Sequence, residues 1–162
     1  IEPALKPAVL FKPHPTVLDM ATPMTIREEK FHRLLAKYEH QATIYPLPCP
    51  GLMEYVERGQ ADSPEVREFL RNLLGEYLEK GVDAIVLGCT HYPFVQKAIA
   101  ETAGPKVRIF DGGEGTAREL RRRIELAGLR NPNPLRKGTV VFESSDESPE
   151  KLELFQKLFY SK

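Results

Sequence analysis

The sequence has little of what would place it outside ordinary globular proteins. Two cysteines, Cys49 and Cys89, are too few for a disulfide framework and fit a reducing compartment. Twenty-three basic and 23 acidic residues cancel, so the charge gives no reason to expect binding to nucleic acid or to an anionic membrane. No apolar run approaches the roughly 18 residues that span a bilayer, so we do not expect an integral membrane protein.

The composition that remains is typical of a folded domain. The 162 residues are 41% apolar and 28% charged, which excludes disorder along the whole chain and suits one domain or two small lobes. The chain begins at Ile1, without an initiator Met and without a signal-peptide pattern, so we expect it to be part of a longer protein.

Short apolar runs alternate with longer amphipathic segments. The apolar runs predict strands over residues 16–21, 42–47, 83–88, 107–110 and 139–142. The amphipathic segments predict helices over residues 25–40, 52–58, 64–80, 94–102 and 114–127, and another after Ser148. The first 15 residues predict a connecting arm, because their prolines interrupt any long helix, and residues 131–136 predict a loop.

This alternation predicts an α/β fold with a mostly parallel sheet and right-handed crossovers. In such sheets the functional groups gather in the loops at the carboxyl ends of the strands. Four loops are therefore the candidate positions for a site: residues 22–25, 47–51, 88–93 and 111–115.

The third of these loops has the most chemical potential. Cys89, Thr90 and His91 bring a thiol, a hydroxyl and an imidazole together at the end of a predicted buried strand. Helix N-terminal amides and a nearby imidazolium favour the thiolate form of a cysteine. A lone cysteine is more often a small buried hydrophobe, but the neighbouring Gly, Thr and His at a strand end favour a chemical role here.

Two other interpretations of Cys89 have weaker support. A zinc site would need more ligands than Cys89 and His91, and Cys49 lies in a different loop without CxxC or HxxxH spacing. A Cys-His hydrolase would need an oxyanion hole and a third residue to orient the base, and no segment marks either. The sequence therefore predicts no metal site.

Four segments resemble bacterial glutamate racemases, in the family's order and spacing. The stretch VDAIVLGCTHYPF at residues 82–94 closely resembles the second catalytic-cysteine motif of that family. ATPMT at residues 21–25 resembles its ATxxT element, and residues 49–57 resemble its CPxxxxxVE stretch. DGGEGTA at residues 111–117 resembles its DxGxxTA turn. The resemblance implies the family's parallel-sheet α/β fold.

The resemblance also implies an activity and catalytic residues. Enzymes of this family interconvert L- and D-glutamate with two thiols on opposite faces of the α-carbon, without PLP, metal or another cofactor. By resemblance Cys89 is one of these thiols, His91 tunes it or relays its proton, and Glu57 supports the pair. Cys49 matches a family position outside the catalytic pair, so we expect a structural role for it.

Threonines are the expected contacts to the substrate, together with His91. By resemblance Thr90 binds a substrate carboxylate, and Thr22 and Thr25 help to hold the acidic groups of glutamate. A threonine before a helix also serves as its N-cap, so capping is an equally good interpretation of Thr22 and Thr25.

Two motifs of the family are absent from this sequence: the DSG-type loop and the CNTA-type strand end that carries the first thiol. We therefore expect residues 1–112 to form the second racemase domain with its entry arm, and residues 113–162 to be the C-terminal part of the first. Apolar surface is then expected on Leu120, Ile124, Phe155 and Phe159. These residues alone are expected to be inactive without the missing half.

The resemblance further implies a cytoplasmic enzyme that is a homodimer when intact and supplies D-glutamate for peptidoglycan. Two alternatives stay open. One is a one-thiol enzyme of the same superfamily, of the decarboxylase type. The other is a non-catalytic module that binds a ligand or a partner and retains the motif as scaffold.

Overall fold

The first of the two units in the chain is built on a four-stranded parallel sheet. The computed structural model describes residues 1–133, 137–146 and 148–161, and the two units are Ile1–Arg123 and Ile124–Lys162. The strands are β1 (Thr16–Ala21), β2 (Thr43–Pro48), β3 (Ala84–Leu87) and β4 (Arg108–Asp111). Their order is β2-β1-β3-β4, so the predicted α/β fold with a parallel sheet is confirmed.

The register of the strands places their carboxyl ends along one edge of the sheet. Ala21 pairs with Pro48 of β2, and Leu87 of β3 pairs with Met20 on one side and Asp111 on the other. β1 and β3 occupy the centre, and all four residues of β3 are buried. β2 contains two prolines and lies at the edge of the sheet. Proline lacks a backbone N–H, and edge strands tolerate this because one side of the strand has no strand partner.

The structure also describes helices in both units. They are α1 (Glu2–Leu10), α2 (Pro23–Arg27), α3 (Glu29–Ala36), α4 (Leu52–Glu57), α5 (Pro64–Glu79), α6 (Gln96–Ala103), α7 (Gly113–Leu126) and α8 (Pro149–Tyr160), with a 3₁₀ turn at Tyr92–Val95 before α6. No helix among the described residues combines the length and the apolar character needed to cross a bilayer.

The expectation of a connecting arm over the first 15 residues is wrong for most of that segment, because α1 is helical there. Pro3 lies in the first turn, where its missing N–H costs nothing, and Pro7 lies inside the helix. α1 buries Ala4, Leu5, Ala8 and Val9 against sheet residues that include Val17 and Val86. This burial offsets the one backbone hydrogen bond that Pro7 cannot make.

The helix predicted over residues 25–40 is two helices. Glu28 has extended backbone angles (φ −72°, ψ 132°) and separates α2 from α3. The predicted apolar face is nevertheless correct: Phe31 and Tyr38 are buried, and Leu34 and Leu35 pack against the core. Apolar spacing indicates which residues face the core but does not detect a local break in backbone hydrogen bonding.

The predicted start of α5 is confirmed. The hydroxyl of Ser63 accepts a hydrogen bond from the backbone N–H of Val66 at 3.2 Å. Val66, Leu70 and Leu74 are fully buried along one face of the helix. This spacing of four residues places them in one row, which is why α5 packs against its neighbour α6.

The second unit contains α8 but not the predicted strand. Residues 139–142 form no strand, because they have no strand partner among the residues that the structure describes. Phe142 instead contacts Phe159 of α8, with ring centroids 5.5 Å apart. In this unit Phe159 is exposed, as expected, while Ile124 and Phe155 are half-buried.

Leu120, near the end of the first unit, is also exposed, as expected. Residues 134–136 of the predicted loop lie outside the described residues.

Candidate active site

The loops that carry the two cysteines are both attached to the end of β1. The backbone N–H of Gly88 donates to the carbonyl of Met20 at 2.8 Å, and the N–H of Cys49 donates to the carbonyl of Ala21 at 3.0 Å. The hydrogen-bonding pattern of the sheet therefore continues one residue beyond β3 on one side and beyond β2 on the other. As a result, the loops after three neighbouring strands begin at fixed positions along the same edge.

Gly88 allows an unusually close approach of the chain to β1. A Cβ atom on Gly88 would lie 2.7 Å from the carbonyl oxygen of Met20 and 3.0 Å from Oδ1 of Asp19. No real Cβ fits at such distances from a backbone oxygen. Glycine is thus required for the turn that leads into Cys89.

Cys89, His91 and Glu57 form a connected set. The Sγ atom of Cys89 lies 3.8 Å from Nδ1 of His91, and Nε2 of His91 lies 3.3 Å from Oε1 of Glu57. The side chains of His91 and Glu57 are 24% and 34% exposed, so solvent only partly screens their interaction. The structure thus brings together the three residues that the resemblance assigned to catalysis.

This set can move a proton to and from the thiol. When Nε2 carries its proton toward Glu57, Nδ1 is free to accept the proton of Cys89. The carboxylate then faces the imidazolium that forms and favours it electrostatically. Cys89 is half-buried rather than enclosed.

Thr22 and Thr25 lie together at the end of β1. Their Oγ1 atoms are 2.9 Å apart, and the backbone N–H of Thr25 donates to Oγ1 of Thr22 at 3.2 Å. Thr22 is therefore the N-cap of α2, as the capping interpretation predicted. Thr90 is exposed immediately after Cys89. Contacts of these three hydroxyls with a substrate stay a prediction.

Cys49 is more deeply buried than Cys89. It is 3% exposed, and its thiol donates to the carbonyl of Leu47 at 3.3 Å. Burial raises the pKa of the Cys49 thiol to about 12. The buried Tyr92 hydroxyl lies beside it, and burial followed by this thiol raises the pKa of Tyr92 well above its usual range. These features favour the structural role predicted for Cys49.

Asp19 is a residue of this region that the sequence analysis did not single out. It is fully buried in β1, and neither carboxyl oxygen has a hydrogen-bond partner among the described residues. Burial raises the pKa of Asp19 to about 7. The signal was available, because Asp19 is the one charged residue in the apolar run TVLDMA.

Within the parts of the chain that the structure describes, no three His, Cys, Asp or Glu side chains are grouped so as to hold a metal ion.

Comparison with known proteins gives consistent matches. Residues 20–120 match the sequence model of a family described as Asp/Glu/Hydantoin racemase. The glutamate racemase of Clostridium perfringens (strain ATCC 13124) is 44% identical over 158 residues, which are 98% of this chain and 60% of the relative. The chain thus spans about three-fifths of the length of the curated relatives it matches.

Solved structures with the same fold are also glutamate racemases. The enzyme from Francisella tularensis in complex with D-glutamate matches with a TM-score of 0.65 and 26% identity, covering 74% of this chain and 44% of that one. The Escherichia coli enzyme, in complex with L-glutamate and the activator UDP-MurNAc-ala, has a TM-score of 0.76. At 24% identity it shows the fold alone, over 96% of this chain and 58% of that one.

Proposed function

This chain belongs to the Asp/Glu/Hydantoin racemase family, and we propose that it carries one of the two catalytic thiols of a glutamate racemase. The observation that carries the proposal is the connected set Cys89–His91–Glu57, with distances of 3.8 and 3.3 Å. The 44% identity to the racemase of Clostridium perfringens supports glutamate as the substrate.

The proposed reaction inverts the α-carbon of glutamate. One group removes the α-proton from one face, and a second group delivers a proton to the other face. Cys89, after giving its own proton to His91, acts as a thiolate base for one enantiomer. For the other enantiomer the Cys89 thiol donates the proton, and His91 returns one to it. Glu57 stabilises the imidazolium that carries the proton in between.

Hydroxyl groups at the same edge of the sheet are proposed to hold the substrate. Thr90 follows Cys89 directly, and Thr22 and Thr25 lie at the end of β1, whose neighbour β3 leads into Cys89. Hydroxyl donors suit the two carboxylates of glutamate, and His91 adds a further polar contact. We propose that the reaction needs no PLP, metal or other cofactor.

The second thiol of the pair is not among these residues. Cys49 is the only other cysteine, and it is buried with a strongly raised pKa. We therefore propose that racemisation requires a thiol from residues that the longer relatives have beyond the matched region. On this proposal residues 1–112 correspond to one domain of the racemase and residues 113–162 to part of the other.

By the same resemblance, we propose that the intact enzyme is a cytoplasmic homodimer that supplies D-glutamate for peptidoglycan synthesis and cell shape. The family's name and the names of the relatives support the reaction. The cellular role follows from the family resemblance alone.

The decisive experiment joins this chain to the part of the Clostridium perfringens racemase that it does not match. The chimera is incubated with L- and D-glutamate in D₂O, and exchange of the α-proton is followed by NMR. We expect exchange that Cys89→Ser abolishes and that Cys49→Ala, the matched control, retains. A folded chimera without exchange would favour a non-catalytic binding module.

The isolated chain is measured in parallel and is expected to give no exchange. If the isolated chain exchanges the α-proton and Cys89→Ser abolishes this, one thiol suffices. That result would favour the one-thiol alternative and contradict the need for a second thiol.

A further inference from the structure

Asp19 is placed against the turn that carries the reactive thiol. It lies in the central strand β1, opposite Pro46 of β2 and Val86 of β3. Its side chain extends from these paired positions toward the carboxyl end of the sheet. There Oδ1 lies 3.0 Å from the position that a Cβ atom on Gly88 would occupy.

The Asp19 carboxyl group lies close to the space that a side chain at position 88 would occupy. The position of a Cβ atom on Gly88 is blocked by the Met20 carbonyl oxygen at 2.7 Å and by Oδ1 of Asp19 at 3.0 Å. Ala21 Cβ completes the enclosure at 3.4 Å from the same Cβ position. The backbone one residue before Cys89 is therefore packed against a carboxyl group that makes no hydrogen bond among the described residues.

We propose that Asp19 is a positioning residue for Cys89: its buried carboxyl group packs against Gly88 and holds the turn from which the thiol projects. The proposal relies on the proposed function in one respect, that Cys89 is the thiol that reacts. It assigns no direct contact between Asp19 and the substrate.

The surroundings explain why the uncharged acid is the stable form. The Cys49 thiol after β2 is a titratable group that interacts electrostatically with Asp19. On the β3 side Asp19 faces Val86 and Gly88, which carry no charge. A buried carboxylate without a donor is costly, and here burial is the largest cause of the raised pKa of Asp19.

Ionisation of Asp19 is therefore expected to disturb the turn. A carboxylate needs N–H donors, and the N–H of Gly88 is already bonded to the carbonyl of Met20. Competition for this donor, or entry of water to solvate the charge, would change the backbone of Gly88 and Cys89. Cys89 is thus expected to be held most firmly at pH values where Asp19 keeps its proton.

NMR titration of the whole chain tests this inference without any need for catalysis. The carboxyl carbon of Asp19 and the backbone amides of Gly88 and Cys89 are followed from about pH 3 to about pH 9. We expect the carboxyl carbon and both amides to share one midpoint near pH 7. An Asp19 carbon that titrates near pH 4, like an exposed Asp, would overturn the proposal.

Variants separate Asp19 from its neighbours. Imidazole groups titrate in a similar range, so His91→Gln is compared with Asp19→Asn. We expect the amide titration of Gly88 to persist in His91→Gln and to be lost in Asp19→Asn. The reverse pattern contradicts the proposal. Asp83→Asn, at the other end of β3, is the matched control and should leave the titration unchanged.

If Asp19→Asn does not fold, the titration of the wild-type chain still tests the proposal. Different midpoints for the Asp19 carboxyl carbon and the two amides would contradict it. If the chimera shows no α-proton exchange but Asp19, Gly88 and Cys89 share one titration midpoint, the result counts against the proposed function only. The two ideas therefore fail separately.

Discussion

The Nε2 atom of His91 lies 3.3 Å from Oε1 of Glu57, although the two residues are 34 positions apart in the chain. The contact exists because α4 packs against the 3₁₀ turn that follows Cys89, with Val56 and Tyr92 both buried. The packing of these two buried residues thus positions the polar contact between Glu57 and His91. This relationship makes the role of Glu57 testable.

Glu57→Gln is expected to slow alkylation of Cys89 by iodoacetamide at neutral pH. Loss of the carboxylate removes the partner of Nε2 of His91, so the imidazole is held less well for taking the proton of Cys89. We expect a reduction of about two- to five-fold, since a partly exposed ion pair contributes roughly 0.4–1 kcal/mol. Glu54→Gln, on the exposed side of the same helix, is the control and should leave the rate unchanged.

The two cysteines are expected to differ strongly in reactivity. Cys89 is half-buried and Cys49 is buried with a thiol pKa of about 12, so the Cys49 thiolate is scarce at any physiological pH. Alkylation followed by mass spectrometry of the two peptides should show Cys89 modified first. Cys49 should react only as fast as the chain unfolds. Equal rates in the folded chain would contradict the structural role of Cys49.

Gly88→Ala is expected to destabilise the chain by roughly 1–3 kcal/mol, the usual cost of forcing a group into a packed position. The reason is that the added Cβ would lie 2.7 Å from a backbone oxygen, which has little freedom to move. Gly75→Ala is the matched control, because nothing lies within 4 Å of its Cβ position in α5. It should stabilise by about 0.5–1 kcal/mol. Urea unfolding measures both changes.

Asp19 is expected to make the free energy of unfolding fall as pH rises. Its pKa is about 7 in the folded chain, against about 3.9 for an unperturbed aspartate, so the folded state binds its proton more tightly. The stabilisation from this proton is complete below about pH 4 and lost by about pH 7, and it amounts to at most roughly 4 kcal/mol. Comparison of Asp19→Asn with wild type by urea unfolding isolates it. Parallel pH profiles for the two proteins would show that Asp19 is ionised when folded.

Much of the fold could be predicted, because burial leaves a periodic pattern in the sequence. The all-apolar run that became β3 and the Ser63 cap of α5 are local signals, and both were read correctly. The failures involve partners that are distant in sequence. α1 forms despite Pro7 because its apolar face packs against the sheet. Residues 139–142 form no strand, and no strand among the described residues pairs with them.

The candidate site shows the same division. A short motif was enough to indicate Cys89 and His91, since both lie within three residues of one another. Glu57 required the family resemblance, because nothing in its own neighbourhood predicts contact with His91. Asp19 was overlooked because an apolar run with one charged residue still predicts a strand, whatever that residue does. Its interest lies in what surrounds it, which only the structure shows.

The narrow space at Gly88 also discriminates between alternative alignments of the strands. Sliding β3 by one residue along β1 would bring Leu87 or Cys89 to the position that now lies 2.7 Å from the Met20 carbonyl, and each has a Cβ atom. Such a slip would also turn every side chain of β3 to the opposite face of the sheet. A residue without a side chain therefore determines on which face of the sheet the reactive sulfur emerges.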